Sequence, residues 1–220
     1  MSVRNNLTQL YQEIPSSVKI VAVSKKMPAE TILEAYHTGQ RLFGENKSQE
    51  LIAKQPFLPK DLQWHYIGHL QSNKVKFIAP FVDMIESVDS LKLLQEINKQ
   101  AENNSRIIKC LLQFHIATEE TKFGLDTEEA DAFLISPEYT AMKNISICGV
   151  MGMASFTDDE ALIRREFHGL KAVENHLKNK FFKNNPEFCE ISMGMTNDYR
   201  IAIEEGSTII RIGTGIFGKG

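Results

Sequence analysis

The sequence predicts an α/β fold, a single (β/α)8 barrel of the TIM type spanning residues 1–220, and three observations predict it. Short β-branched runs alternate with longer segments of helical period, the pattern of parallel strands joined by helical crossovers. Eight such runs occur, the number that closes this kind of barrel. The 220 residues, 42% hydrophobic and 24% charged, fall where one core serves a whole chain and α/β barrels remain undivided. An open doubly wound sheet is the alternative architecture for the same alternation.

Taken in order, the opening segment Val3–Glu13 is an amphipathic helix pattern. The first strand is expected at 18–24, where Val18, Ile20, Val21 and Val23 crowd together, and the second at 41–44. The others are expected at 64–68, 84–88, 107–116, 145–151, 188–193 and 208–212, each a short apolar run. Helical patterns fall between them, beginning near Pro28, Ser48, Ser72, Ser90, Asp126, Asp158 and Asn197; most of these residues suit an N-cap or first turn. Only 8 residues follow the last strand, too few for an ordinary crossover helix, so the opening segment is expected to complete the barrel wall. No Pro- or Gly-rich linker, low-complexity tract or internal repeat divides the chain.

A formal net charge of -3 offers no basic face, which argues against nucleic acid or an acidic membrane as partner. Cys110, Cys148 and Cys189 lie far apart in apolar runs without ligand-like spacing, and read as buried thiols of a reducing compartment. The N-terminus lacks a basic-then-apolar signal pattern and no run is long enough to span a bilayer, so the expected location is cytoplasmic. His65 and His69 have no acidic companion between them, which excludes the metalloprotease zinc pattern and leaves packing or hydrogen bonding.

Chemistry in such a barrel collects at the C-terminal ends of the strands. The first strand delivers Lys25 there, on the same pleat parity as Val21 and Val23. An amine in a partly dry pocket has its charged form disfavoured and is freed to attack an aldehyde; a solvated loop lysine is the competing explanation, and Lys26 fits it. The seventh and eighth strands run into small, hydroxyl-rich turns, Ser192 to Asp198 and Arg211 to Gly215. Loops after those two strands commonly bind phosphate on bare backbone N–H groups. Ser192, Gly194, Thr196, Gly213 and Thr214 supply such groups, so a phosphate-bearing aldehyde is the expected ligand. Arg211 shares pleat parity with Ile209 and Gly213 and is expected to point at that ligand; as a pure donor it pairs with an unprotonated ring nitrogen. Asn46 is a candidate for a ring hydroxyl or for orienting Lys25, and Met153 for packing on the ring face, with capping and core filling as the alternatives. Lys122 is either a second amine near the site or an exposed loop charge.

AlaValSerLys ending at Lys25, PheGlyGluAsn ending at Asn46, the run Trp64 to Lys74, SerMetGlyMet from Ser192 and ArgIleGlyThrGlyIlePheGly from Arg211 occur together and in order. In this the chain resembles the pyridoxal phosphate homeostasis proteins, relatives of the barrel domain of alanine racemase, over nearly its whole length. The resemblance implies pyridoxal 5′-phosphate as cofactor, Lys25 as its Schiff-base lysine, Ser192, Gly213 and Thr214 on the phosphate, Arg211 at the ring nitrogen and Asn46 beside the cofactor. Thr196 stands where relatives commonly carry Ser, which keeps the hydroxyl.

The function this implies is control of pyridoxal phosphate supply without robust turnover. Apoenzymes that depend on the cofactor are the expected recipients, and a monomer is the expected state. A minimal amino-acid racemase or lyase is the alternative. Racemisation needs proton donors on both faces of the substrate, and Lys25 offers one, with no second tyrosine at an expected strand end. A Schiff-base aldolase acting on a sugar phosphate is a third reading, disfavoured by Arg211 aimed at a ring.

Overall fold

The computed structural model describes residues 2–118 and 123–218, so Lys122 lies outside the described residues. The strands β1 (Lys19–Val23), β2 (Leu42–Glu45), β3 (Gln63–Tyr66), β4 (Met84–Val88), β5 (Ile108–Phe114), β6 (Ile145–Gly152), β7 (Glu190–Met195) and β8 (Ile209–Ile212) are parallel and close in chain order. β8 pairs back onto β1 with Val21 beside Arg211, and the open-sheet alternative is thereby excluded.

Around the barrel run α1 (Val3–Glu13), α2 (Ala29–His37), α3 (Ser48–Lys54), α4 (Ser72–Ile78), α5 (Leu91–Asn103), α6 (Thr127–Leu134), α7 (Pro137–Thr140), α8 (Glu160–Lys180), α9 (Tyr199–Glu204) and α10 (Thr214–Phe217). Their starts follow from local chemistry. The Ser90 hydroxyl accepts from Leu93 N at 3.3 Å and opens α5, whose Leu93, Leu94, Ile97 and Ala101 repeat at helical spacing and are buried. Asp126 and Glu129 form a reciprocal capping box at α6. The caps of α8 and α9 are Asp159 and Asp198, each one residue later than expected. α10 has only 4 residues, and α1 packs against it and against α2 where a longer eighth helix would lie.

Two apolar layers result. The larger lies between sheet and helices; the smaller fills the barrel with Val21, Met84, Leu111, Cys148, Met151 and Ile209. Space inside is tight: a Cβ on Gly44 would stand 2.7 Å from Val21 Cγ1. In β6 a register irregularity at Gly149 (φ 154°) puts Cys148 and Met151, three residues apart, on the same inner face. That shift also brings Met153 toward the C-terminal mouth.

Three expectations need correction. Cys189 is exposed at the N-terminal end of the barrel, because the strand begins only at Glu190; Cys110 and Cys148 are buried as expected. β1 ends at Val23, one residue before the expected limit, so Lys25 sits in the turn that follows, where Lys26 has φ 63°. β3 ends at Tyr66, where the strand was expected to run to 68, and the Tyr66 hydroxyl donates to Asn46 O at 3.2 Å.

Candidate functional site

A cavity of about 480 Å³ opens at the C-terminal mouth of the barrel, within the range of small-molecule sites. Strand ends from opposite parts of the sequence converge on it. β1 contributes Val23 and Lys25, β2 Asn46, β6 Met153, and β8 Arg211, Gly213 and Thr214. The turn after β7 adds Thr196 and Asn197. Seven of the nine expected site residues that are described therefore line one cavity: Lys25, Asn46, Met153, Thr196, Arg211, Gly213 and Thr214.

The turn that carries Lys25 is fixed from beneath. Ser24 points to the helix side and donates to Glu45 Oε1 at 2.7 Å, while Lys54 on α3 donates to the same oxygen at 2.7 Å and to Ser24 O at 2.9 Å. The amide of Lys26 donates to Glu50 Oε2 at 2.8 Å. Burial raises the Glu45 carboxyl above its ordinary range in spite of Lys54 and Ser24, whereas the Lys26 amide helps hold Glu50 below it. Lys25 itself is exposed, and it enters no ion pair among the described residues.

Ser192 and Gly194 are not on the wall. Ser192 is fully buried one layer lower, where its hydroxyl donates to Glu86 Oε2 at 2.5 Å and accepts from Arg211 Nη1 at 2.5 Å. Gly194 has φ 94°, and its Cβ would lie 2.6 Å from that of Ala202, so it faces α9. Its left-handed conformation instead bends the chain so that Met195 and Thr196 reach the cavity. The hydroxyl-bearing residue that the β7 turn presents is thus Thr196, whose Oγ1 accepts from Gly215 N at 3.3 Å and joins the two turns. A Cβ on Gly215 would stand 2.9 Å from Ile212 Cγ2 and 3.2 Å from Thr196 Cγ2, so only a bare backbone lets them approach this closely.

Arg211 forms part of the cavity floor at 4% exposure, anchored by Ser192 and by a bond from Nη2 to Gly152 O at 3.0 Å. Below it, Glu86 receives Ser192 on one oxygen and His65 Nδ1 on the other at 2.5 Å. Burial alone would raise Glu86; His65, Arg211 and Ser192 outweigh it and hold the carboxyl below its usual range. Burial lowers the Arg211 guanidinium. Asn46 Oδ1 is buried and has no hydrogen-bond partner among the described residues, so an acceptor is left open beside the cavity.

Sequence reasoning missed the far wall: Ile67, Gly68 and His69 after β3, Gln113 at the end of β5, and Phe123 and Phe156 in the loops. Phe123 stacks on His69 with centroids 4.1 Å apart, and Gln113 Nε2 holds its carbonyl at 2.8 Å. His69 lies in the run from Trp64 to Lys74, so a signal was present; Gln113 and the aromatics carry no local one. Glu86 was missed because it sits inside the apolar run of β4. No group of residues able to hold a metal occurs among those described.

The alanine racemase N-terminal domain model matches residues 1–219. The chain is 36% identical over 203 residues to the pyridoxal phosphate homeostasis protein of Aquifex aeolicus, covering 91% of this chain and 86% of that one. It is 35% identical over 231 residues to the Pasteurella multocida protein of the same name, at 99% and 97% coverage, and 38% over 212 residues to the human one, at 91% and 76%. Among solved structures it is similar to PipY of Synechococcus elongatus with PLP bound, at TM-score 0.88 and 36% identity, covering 99% of this chain and 100% of that one. The likeness to alanine racemase from E. faecalis has TM-score 0.75 at 16% identity over 99% of this chain and 58% of that one, and shows the fold alone.

Proposed function

The chain belongs to the pyridoxal phosphate homeostasis protein family, and from that premise we propose that it binds pyridoxal 5′-phosphate in the C-terminal cavity to regulate the cofactor's supply. The observation that carries this is the meeting, on one cavity, of a lysine without an ion-pair partner among the described residues, a buried arginine and the two small-residue turns. Lys25 would hold the cofactor as a Schiff base, its amine adding to the aldehyde with loss of water. Thr196, Gly213 and Thr214 would hold the phosphate, with Ser192 and Gly194 shaping their support from behind. Arg211 would donate to the ring nitrogen and Met153 would pack on the ring. The Asn46 side-chain amide, open at Oδ1 among the described residues, can donate as well as accept and so suits the ring oxygen in either protonation state, and the cavity thus fits the group chemically. When bound, the cofactor supplies an electrophilic aldehyde and an electron-withdrawing ring. An arginine at the ring nitrogen keeps that nitrogen unprotonated and weakens carbanion stabilisation, which favours storage and delivery over turnover.

We place the recipients among pyridoxal phosphate-dependent apoenzymes and the protein in the cytoplasm as a monomer. No helix among the described residues is long and apolar enough to cross a membrane. For the alternative of a racemase or lyase, no tyrosine among the described residues lines the cavity, and His69, which does, is bonded to Asp89 at 3.2 Å. The test is the visible spectrum of the purified protein followed by borohydride reduction and peptide mapping. Cofactor mass on Lys25 is expected; an unmodified Lys25 overturns the reading. Solvent deuterium appearing at Cα of an amino acid, and lost in Lys25→Ala, would replace it with the enzymatic one.

A further inference from the structure

Beneath the cavity, three hydrogen bonds run in series along the barrel axis. His65 Nδ1 meets Glu86 Oε1, Glu86 Oε2 accepts from Ser192 Oγ, and Ser192 Oγ accepts from Arg211 Nη1, each at 2.5 Å. All four side chains are buried, Glu86 and Ser192 completely. They come from β3, β4, β7 and β8, so nothing local in the chain assembles them. Three are charged or titratable, and a barrel interior does not retain such groups for packing: filling that layer with apolar side chains would avoid the desolvation of Glu86 and Arg211.

We infer that Glu86, acting through Ser192 and braced by His65, is a positioning residue that aims the Arg211 guanidinium into the cofactor cavity. A guanidinium has five N–H donors in a rigid fork. Among the described residues, Nη1 is engaged by Ser192 and Nη2 by Gly152 O, which fixes the plane of a side chain that lines the cavity and leaves three of its five donors unengaged by these two bonds. Glu86 stands 3.9 Å from Nη1, with the Ser192 hydroxyl bridging the two. It therefore compensates the cation without occupying the donors that the ligand needs. A direct Arg–carboxylate fork would occupy them. Ser192 is accordingly assigned the work of keeping acid and base apart.

This inference rests on the proposed cofactor reading, and the test separates the two. Wild type, Glu86→Gln, Ser192→Ala, Arg211→Gln and the doubles with Arg211→Gln are titrated with pyridoxal 5′-phosphate. Dissociation constants, the pH midpoint of the visible Schiff-base band and borohydride labelling of Lys25 are read for each. If wild type does not label at Lys25, the cofactor reading fails. If it labels, each single variant is expected to weaken binding about tenfold. Removing the Glu86 charge is expected to lower the pH midpoint by about one unit, because a less compensated cation disfavours the protonated imine. In the Arg211→Gln background both effects should vanish, since the chain acts through that guanidinium. Effects that persist in that background, or single variants identical to wild type, overturn the inference. Should Glu86→Gln not fold, Ser192→Ala cuts the same chain without removing a charge. In the unsubstituted protein, Arg211 Nη protons are expected to exchange slowly by nitrogen-15 NMR, and fast exchange would overturn the inference without any variant.

Discussion

Lys19 and Lys25 leave the two ends of β1 on the same side, six residues apart, and meet opposite treatment. At the N-terminal mouth Lys19 pairs with Glu190, in a cavity whose walls also carry Asp83, Arg106, Lys109 and Glu187. Charges there have opposite charges at hand. Among the described residues, at the C-terminal mouth Lys25 enters no ion pair, Asn46 Oδ1 lacks a partner, and the hydrogen bonds of Arg211 to Ser192 and Gly152 engage only part of its donors. Two cavities of similar size, about 550 and 480 Å³, thus differ in that only the second is lined, among the described residues, by a buried side-chain acceptor without a partner. A buried acceptor without a partner costs stability, so its retention beside the C-terminal cavity points to that mouth as the place a ligand would complete.

The sharpest way to break this comparison is to exchange the fates of the two lysines. Lys25→Ala is expected to abolish borohydride-fixed cofactor, and Lys19→Ala to leave it unchanged, by intact-mass spectrometry; equal labelling of both variants would erase the distinction. The next largest effect belongs to the buried floor. Glu86→Gln is expected to cost about 3–5 kcal/mol in denaturant titration, because it leaves Arg211 without its compensating charge.

The pH dependence of that cost has a definite sign. Glu86 is held below its unfolded value, so its contribution is complete above about 4.3 and fades as the pH falls through the lower folded value. Glu45 is raised, so the fold disfavours its charge, and stability is recovered as the pH falls through its folded value. Glu45→Gln is therefore expected to cost less than Glu86→Gln near neutral pH, and the gap to narrow in acid. A gap that widens on acidification would contradict these assignments.

Two glycines separate packing from site. Gly44→Ala drives a methyl into Val21 and is expected to destabilise by about 1–3 kcal/mol. Gly213→Ala meets Val23 no closer than 3.6 Å, so its thermal midpoint should stay near wild type while its cofactor affinity drops. The smallest effect is expected from Lys19→Ala, under about 1 kcal/mol, since that lysine side chain is 54% exposed and solvent screens the pair.

Much of this was legible in the chain. Alternation of β-branched runs and helical periods specified the barrel, because each element is encoded by its own neighbours and helices such as α5, α6 and α8 are capped by the adjacent Ser90, Asp126 and Asp159. Lys25 was found because pleat parity from Val21 carries over one turn, and Thr214 because small residues after β8 have few other uses. Ser192 was placed on the ligand because its motif is contiguous with Thr196; the register irregularity between Ser192 and Met195 separates their environments. A spacing rule cannot register that shift.

The sequence by itself determined the order of elements and placed Lys25, Asn46 and the turn after β8 at the C-terminal ends of the strands, since periodicity and turn composition are local properties. Only the tertiary structure decided which polar groups are already satisfied. Whether Lys25 is free and Lys19 paired, or whether Ser192 touches a ligand or an arginine, depends on side chains from β3, β4, β7 and β8 meeting within hydrogen-bond distance inside a closed barrel. That closure joins residues more than a hundred positions apart, and no pattern along the chain encodes it.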